Sequence, residues 1–142
     1  MGDLIAFLRA RLADDEQTAK AATWDGDMSA RWQAGSSSYD KRRQSPRWYV
    51  LDAYEDGVVG DVDPQGNDDE GVARHIARHD PARVLAEVDA KRQIIEQHER
   101  YAAERRRMMG GWDSQGPEDS PILTALASVY ADHPDYRDEW RP

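Results

Sequence analysis

Arg47 to Val62 reads RWYVLDAYEDGVVGDV, and on this stretch the fold class turns. Its first half is dense in aromatic and β-branched residues, Glu55-Asp56-Gly57 supplies a turn, and Val58, Val59 and Val62 follow. That is the composition of a β-hairpin. Upstream the period changes: Leu4, Ile5, Leu8 and Leu12 recur at three- and four-residue spacing, which predicts an amphipathic helix over 3–22. Downstream, Asp80-Pro81 is a strong helix start, because proline lacks the N–H that a first helical position cannot use and aspartate accepts from the orphan N–H groups behind it. Val84, Leu85, Val88, Ile95 and Ala102 then carry one apolar stripe toward Gly110-Gly111. The fold class is therefore α+β: an N-terminal helix, a small antiparallel sheet of two or three strands within 24–62, and a helical C-terminal half. The helices expected there are 72–79, a long one at 81–109 and 121–130, followed by an aromatic-bearing tail over 131–142. Polar loops are expected at about 33–45 and 110–120, where Gly, Ser, Pro and Asp gather without periodicity.

A chain of 142 residues has the length of one small domain, 1–142, burying roughly two-thirds of its unfolded surface. It contains no cysteine, so no disulfide framework, thiolate metal site or thiol nucleophile is available, and a reducing cytoplasmic setting is expected. The apolar run Leu4–Leu8 is too short for a signal-peptide core or a membrane span, and no membrane contact is expected. The 19 basic residues stand against 28 acidic ones for a net charge of −9. Such an excess repels a phosphate backbone, so direct nucleic-acid binding is not expected. Arginine outnumbers lysine 16 to 3, a bias that points to a GC-rich coding genome.

His75 and His79 stand at i and i+4, the spacing with which one helix face presents two imidazoles to a metal. The intervening Ile-Ala-Arg supplies no glutamate base and sets a cation beside the pair. His79 at a helix end, favoured by the dipole, and His75 beside Val72 and Ile76 account for both without a metal. His75 and His79 are thus the metal candidates, but no metal, no cofactor and no catalytic residue is expected. From Asp52 to Glu70 there are eight acids and no Lys or Arg. Asp61, Asp63, Asp68 and Asp69 form its centre, a surface able to meet a basic partner or imitate phosphates. Lys41, Arg42, Arg43 and Arg47 adjoin Trp48 and Tyr49, and their expected role is pairing with those acids or with an acidic partner surface. In the tail, Tyr136 and Trp140 are large rings among polar residues, either anchored within the molecule or offered to a partner. The interaction candidates are accordingly Trp48, Tyr49, Tyr136, Trp140, Asp61, Asp63, Asp68 and Asp69.

Three blocks carry a resemblance: LIAFLRARLADDEQTAKAA at 4–22, HIARHDPARVLAEVDAKRQIIEQHE at 75–99 and YADHPDYRDEW at 130–140. Together they resemble a family of short acidic proteins of unknown function, widespread in Streptomyces, related actinobacteria and their phages. The resemblance implies source and fold continuity and carries no activity, ligand or catalytic residue. With no P-loop, nucleophile elbow or dinucleotide fingerprint in the chain, the expected function is that of a non-enzymatic protein-interaction or regulatory protein of actinobacterial or actinophage origin. Its expected partner is a protein, basic ones included. Two alternatives stand beside it: an acidic decoy of a nucleic-acid-handling host protein, and a His/Asp metal-dependent enzyme.

Overall fold

The computed structural model describes residues 3–64, 68–111 and 116–142. In chain order they form α1 (Asp3–Ala21), α2 (Gly26–Ser29), β1 (Trp32–Asp40), β2 (Ser45–Asp52), β3 (Gly57–Val62), α3 (Asp69–Arg78), α4 (Pro81–Met108) and α5 (Pro121–Ser128), with 3-10 turns at Pro117–Asp119 and Asp138–Trp140. This is the α+β arrangement that the periodicities imply. The chain divides into two compact units, Gln17–Ala86 and Met1–Glu16 with Glu87–Pro142.

In the unit Gln17–Ala86 the strands form an antiparallel sheet in the order β1-β2-β3. Successive side chains of a strand point to opposite faces. Val50 and Val62 bury on one face with Ala73 and Ala77 of α3, and Trp32, Ala34, Trp48, Val59 and Ile76 pack around them. The sequence suggests a loop at 33–45, yet β1 runs through Gly35-Ser-Ser-Ser38 and only 41–44 remain outside the strands. Serines carry no alternating apolar signal, so this strand is held by its ladder to β2, with Gly35 opposite Tyr49 and an irregularity between Ser36 and Tyr39. The Tyr49 ring lies over Gly35, where an added Cβ would collide with the ring.

Asp52 closes β2 and is fully buried. Its Oδ1 accepts from the N–H groups of Tyr54 and Asp56, both at 2.9 Å, and Glu55 adopts φ 67° in the turn so formed. The first acid of the expected acidic face is therefore part of the hairpin's interior, a local turn device in which a short carboxylate replaces backbone pairing. Helix α3 begins three residues before the expected position 72. Asp68 accepts from Gly71 N–H at 2.8 Å and so satisfies an orphan donor of the first turn.

Asp80 carries both its expected cap and a second bond. Oδ1 accepts from Arg83 N–H at 2.8 Å, and Oδ2 accepts from the N–H of Trp32, the first residue of β1, at 3.0 Å. Ala82 N–H also donates to Ala30 C=O at 3.0 Å. The break between α3 and α4 is thus a joint rather than a kink.

In the other unit, Leu4, Ile5, Phe7, Leu8 and Leu12 of α1, Val88 and Ile95 of α4, Leu123 and Ala127 of α5, and Trp140 are buried. Helix α4 ends where Gly110 and Gly111 take φ of 60° and 86°. Gly111 N–H donates back to Arg106 C=O at 3.1 Å, a left-handed stop that L side chains resist. Part of the expected 110–120 loop, residues 112–115, lies outside the described residues. Pro121 then opens α5, with the Ser120 hydroxyl accepting from Leu123 N–H. The tail, expected to be non-helical, carries one 3-10 turn at its end.

Replacing Asp80 by Ala removes an acceptor from two N–H groups, so unfolding by urea should reveal a loss of about 2 kcal/mol, the upper end of what a cap alone contributes. Asp80→Asn, with one amide oxygen left to accept, should lose about half of that.

Candidate functional site

Four of the eight interaction candidates meet in the unit Gln17–Ala86. Trp48, Asp63, Asp68 and Asp69 line a cavity of about 510 Å³ together with Arg43, Ser45, Pro46, Pro64 and Glu70. The charges are largely engaged. Arg43 grips Asp61 in a bidentate pair at 2.6 and 2.9 Å and reaches Asp63 at 3.4 Å, while Arg47 stands 3.8 Å from Asp61. The hydrogen bonds from Arg43 hold the Asp61 carboxyl below its ordinary value, and the same pairing raises the Arg43 guanidinium. Asp68 is the α3 cap. Glu70 pairs with Arg74 at 2.8 Å, whose guanidinium lies 5.4 Å from the Trp48 ring centre. Tyr49 points to the opposite face of β2, with its hydroxyl donating to Ser36 C=O at 3.4 Å. Trp48 and Tyr49, neighbours in sequence, therefore do not make one surface.

The tail candidates belong to the other unit and surround Phe7. Its ring centre lies 5.0 Å from Trp140, 5.9 Å from Tyr136, 6.3 Å from Tyr130 and 5.8 Å from His133, the tilted and edge-on contacts that ring quadrupoles favour. Trp140 is 1% exposed, so it anchors the tail within the molecule and offers no ring to a partner. Arg137 clasps the arrangement from outside, 5.3 Å from the Trp140 ring and 2.9 Å from Asp3, whose negative charge raises its guanidinium. Arg11 lies 5.3 Å from the Phe7 ring and donates to Asp14 and to His133 Nδ1. Asp135 N–H also donates to that Nδ1 at 3.1 Å, so the ring nitrogen serves as acceptor to both. Tyr130 donates to Asp15 at 2.6 Å. Burial first, and then this bond to a carboxylate, push the phenol above its ordinary value.

His75 and His79 are exposed, with ring centres 4.4 Å apart and ring planes tilted by 40°. The Nδ1 of His79 lies 3.0 Å from His75 C=O and donates to it, which leaves Nε2 as the free nitrogen of a helix-capping residue. Among the described residues no group of three or more His, Asp or Glu side chains is placed to hold a metal ion.

A second surface draws on residues that the sequence reading assigned to no site. Along α4, Ala90, Gln93, Ile94, Gln97, His98, Arg100, Tyr101 and Glu104 border, with Ile122 of α5, a cavity of about 640 Å³. Ile94 is 40% exposed, Ile122 57% and Tyr101 68%. His98 borders both this cavity and an adjoining one of about 230 Å³ under α5, and its Nδ1 is buried with no hydrogen-bond partner. The legible signal was a second apolar series on α4, seven residues apart at Ile94, Tyr101 and Met108. It sits beside the stripe that defines the helix and is half-hidden by intervening Gln and Glu.

A protein-family model described as a family of unknown function, DUF6221, matches residues 1–142. No curated protein and no solved structure matches the chain. No described helix is long and apolar enough to cross a membrane.

Two outcomes follow from this geometry. Asp68→Ala should cost about 1 kcal/mol through loss of the α3 cap, whereas Asp69→Ala should stay within about 0.5 kcal/mol in chemical denaturation. Tyr130→Phe should lower stability by about 1 kcal/mol at neutral pH, discounted for partial exposure. The folded phenol is the weaker acid, so its contribution is complete below the unfolded value of about 10 and fades as the pH rises above it. The gap between wild type and Tyr130→Phe should therefore narrow in urea titrations above about pH 10.

Proposed function

We propose that this chain, which belongs to the DUF6221 family of unknown function, is a non-enzymatic interaction protein that engages a partner protein through the groove between α4 and α5. The observation that carries this reading is the convergence of Ile94, Tyr101 and Ile122, each between 40% and 68% exposed, on one cavity. Single exposed apolar residues are ordinary, but a contiguous set leaves apolar surface in water that a partner would cover. Covering it would contribute about 1 kcal/mol for each of these side chains, and tyrosine adds a hydroxyl that can hydrogen-bond at an interface rim.

The acidic-decoy reading has less support. Asp52 is buried in a turn, Asp61 is held by Arg43 and Asp68 is occupied as a cap. A phosphate mimic needs its carboxylates turned outward and uncompensated. A cysteine-free, arginine-rich composition supports a cytoplasmic setting and an actinobacterial or actinophage origin for the interaction.

The test compares affinity captures from an actinobacterial lysate with wild type, with the groove variant Ile94→Ser/Tyr101→Ser/Ile122→Ser, and with Asp61→Asn/Asp63→Asn. All three substituted groove positions are exposed, so the variant should unfold within about 1 kcal/mol of wild type. The expected result is a set of captured proteins lost only with the groove variant. Equal capture by all three proteins would overturn the reading, and loss only with the carboxylate variant would put the acidic face in its place.

A further inference from the structure

Resting on the docking reading above, α4 also narrows the chemistry of the partner. Ala90, Ile94, Gln97, Tyr101, Glu104 and Met108 succeed one another at alternating steps of four and three residues. That spacing draws one seam along a helix, the pattern with which one helix receives another. Ile94, Tyr101 and Met108 are 40%, 68% and 87% exposed. Val88 and Ile95, by contrast, are at most 2% exposed on the stripe that the unit's own interior uses. Helix α4 thus carries two apolar stripes, and only one is covered. From Ile94 to Met108 the seam runs about 21 Å at 1.5 Å per residue, room for a partner helix of about four turns.

The seam's border is cationic in a chain of net charge −9. Arg100 and Arg107, each one residue before a seam position, lie along one edge and are exposed. Lys91 and Arg105 follow the other edge, each one residue after a seam position. The arginines of the last turn complement the negative end of the helix dipole, but Arg100 lies more than two turns before Met108, beyond the reach of that effect. A second copy of α4 on this seam would set cation against cation whichever way it ran, because both edges carry the same sign. An arrangement of this kind selects an opposite border.

We infer that the α4–α5 groove takes an amphipathic helix of a partner protein, its apolar face bordered by Glu or Asp. Ile94, Tyr101 and Met108 supply contact area, and the arginine border supplies orientation and choice of partner.

Two synthetic peptides of about 18 residues test this, long enough for helix formation on a surface. Both carry Leu at seam spacing; one has Glu at the flanking positions and its twin has Lys. By fluorescence anisotropy with the full chain, the Glu peptide should bind at least about tenfold more tightly than the Lys twin. The preference should shrink as NaCl rises from about 50 to about 500 mM. It should reverse in Arg100→Glu/Arg107→Glu, and both peptides should lose binding to Ile94→Ser/Tyr101→Ser. Equal affinity of the twins, lost in the Ile94→Ser/Tyr101→Ser variant, would overturn the acidic-border inference and leave the docking reading standing. Failure of the Glu peptide to bind overturns it too, while the lysate comparison decides the docking reading separately. A wild-type dimer in sedimentation that Tyr101→Glu dissociates would make a second copy the occupant. Binding of a single-stranded oligonucleotide that displaces the Glu peptide and depends on Tyr101 would assign the groove to nucleic acid. Either result overturns the inference.

Discussion

One carboxylate sets the geometry of the unit Gln17–Ala86. Asp80 accepts from the first N–H of β1 with one oxygen and from the first turn of α4 with the other. A helix start has unpaired donors that must be satisfied, and so does the first residue of an edge strand. Asp80 answers both needs at once, and Pro81 commits the following backbone to the helix. The junction between the start of β1 and the first turn of α4 is therefore fixed by two hydrogen bonds to a single side chain.

The acidic residues illustrate how charge density and available charge diverge. Eight carboxylates lie between Asp52 and Glu70, but a carboxylate is also the best short-range acceptor a turn or helix start can recruit. Asp52 organises the β2–β3 turn and Asp68 starts α3, while Asp61 is held in a bidentate arginine pair. These structural uses take precedence because an unsatisfied buried N–H costs more than a solvent-exposed ion pair contributes. The aromatic tail follows the same logic. Trp140 and Tyr136 gather on Phe7, the single phenylalanine of the chain, so the rings that look most like a binding surface are spent in packing.

Among the apolar residues that remain outward is the second stripe of α4. A helix that served only its own core would carry polar residues beside the stripe of Val88 and Ile95. Here Ile94, Tyr101 and Met108 face water, bordered by arginines. Their hydration is unfavourable for the isolated chain and would be relieved by burial against a complementary surface, which is the physical ground for the docking proposal.

The elements themselves were legible because their causes are local. Periodicity, the Asp80-Pro81 start, the Gly110-Gly111 stop and the aromatic β-hairpin each act within a few residues. The strand through Gly35–Ser38 was not legible, since its stability comes from the ladder to β2 and not from its own side chains. Nor was the separation of Trp48 from Tyr49, adjacent in sequence but sent to opposite faces once the strand pairs. The groove required tertiary structure for the same reason. Ile94 and Tyr101 share a helix face by spacing alone, but Ile122 joins them only when α5 packs, and whether an apolar side chain is core or surface depends on what covers it. The sequence by itself determined the longer helices, the hairpin of β2 and β3 and the Asp80 cap, because hydrogen bonding and amphipathicity are short-range. Only the tertiary structure decided which apolar and acidic residues were consumed by the fold and which were left exposed, because burial is a property of the whole packing.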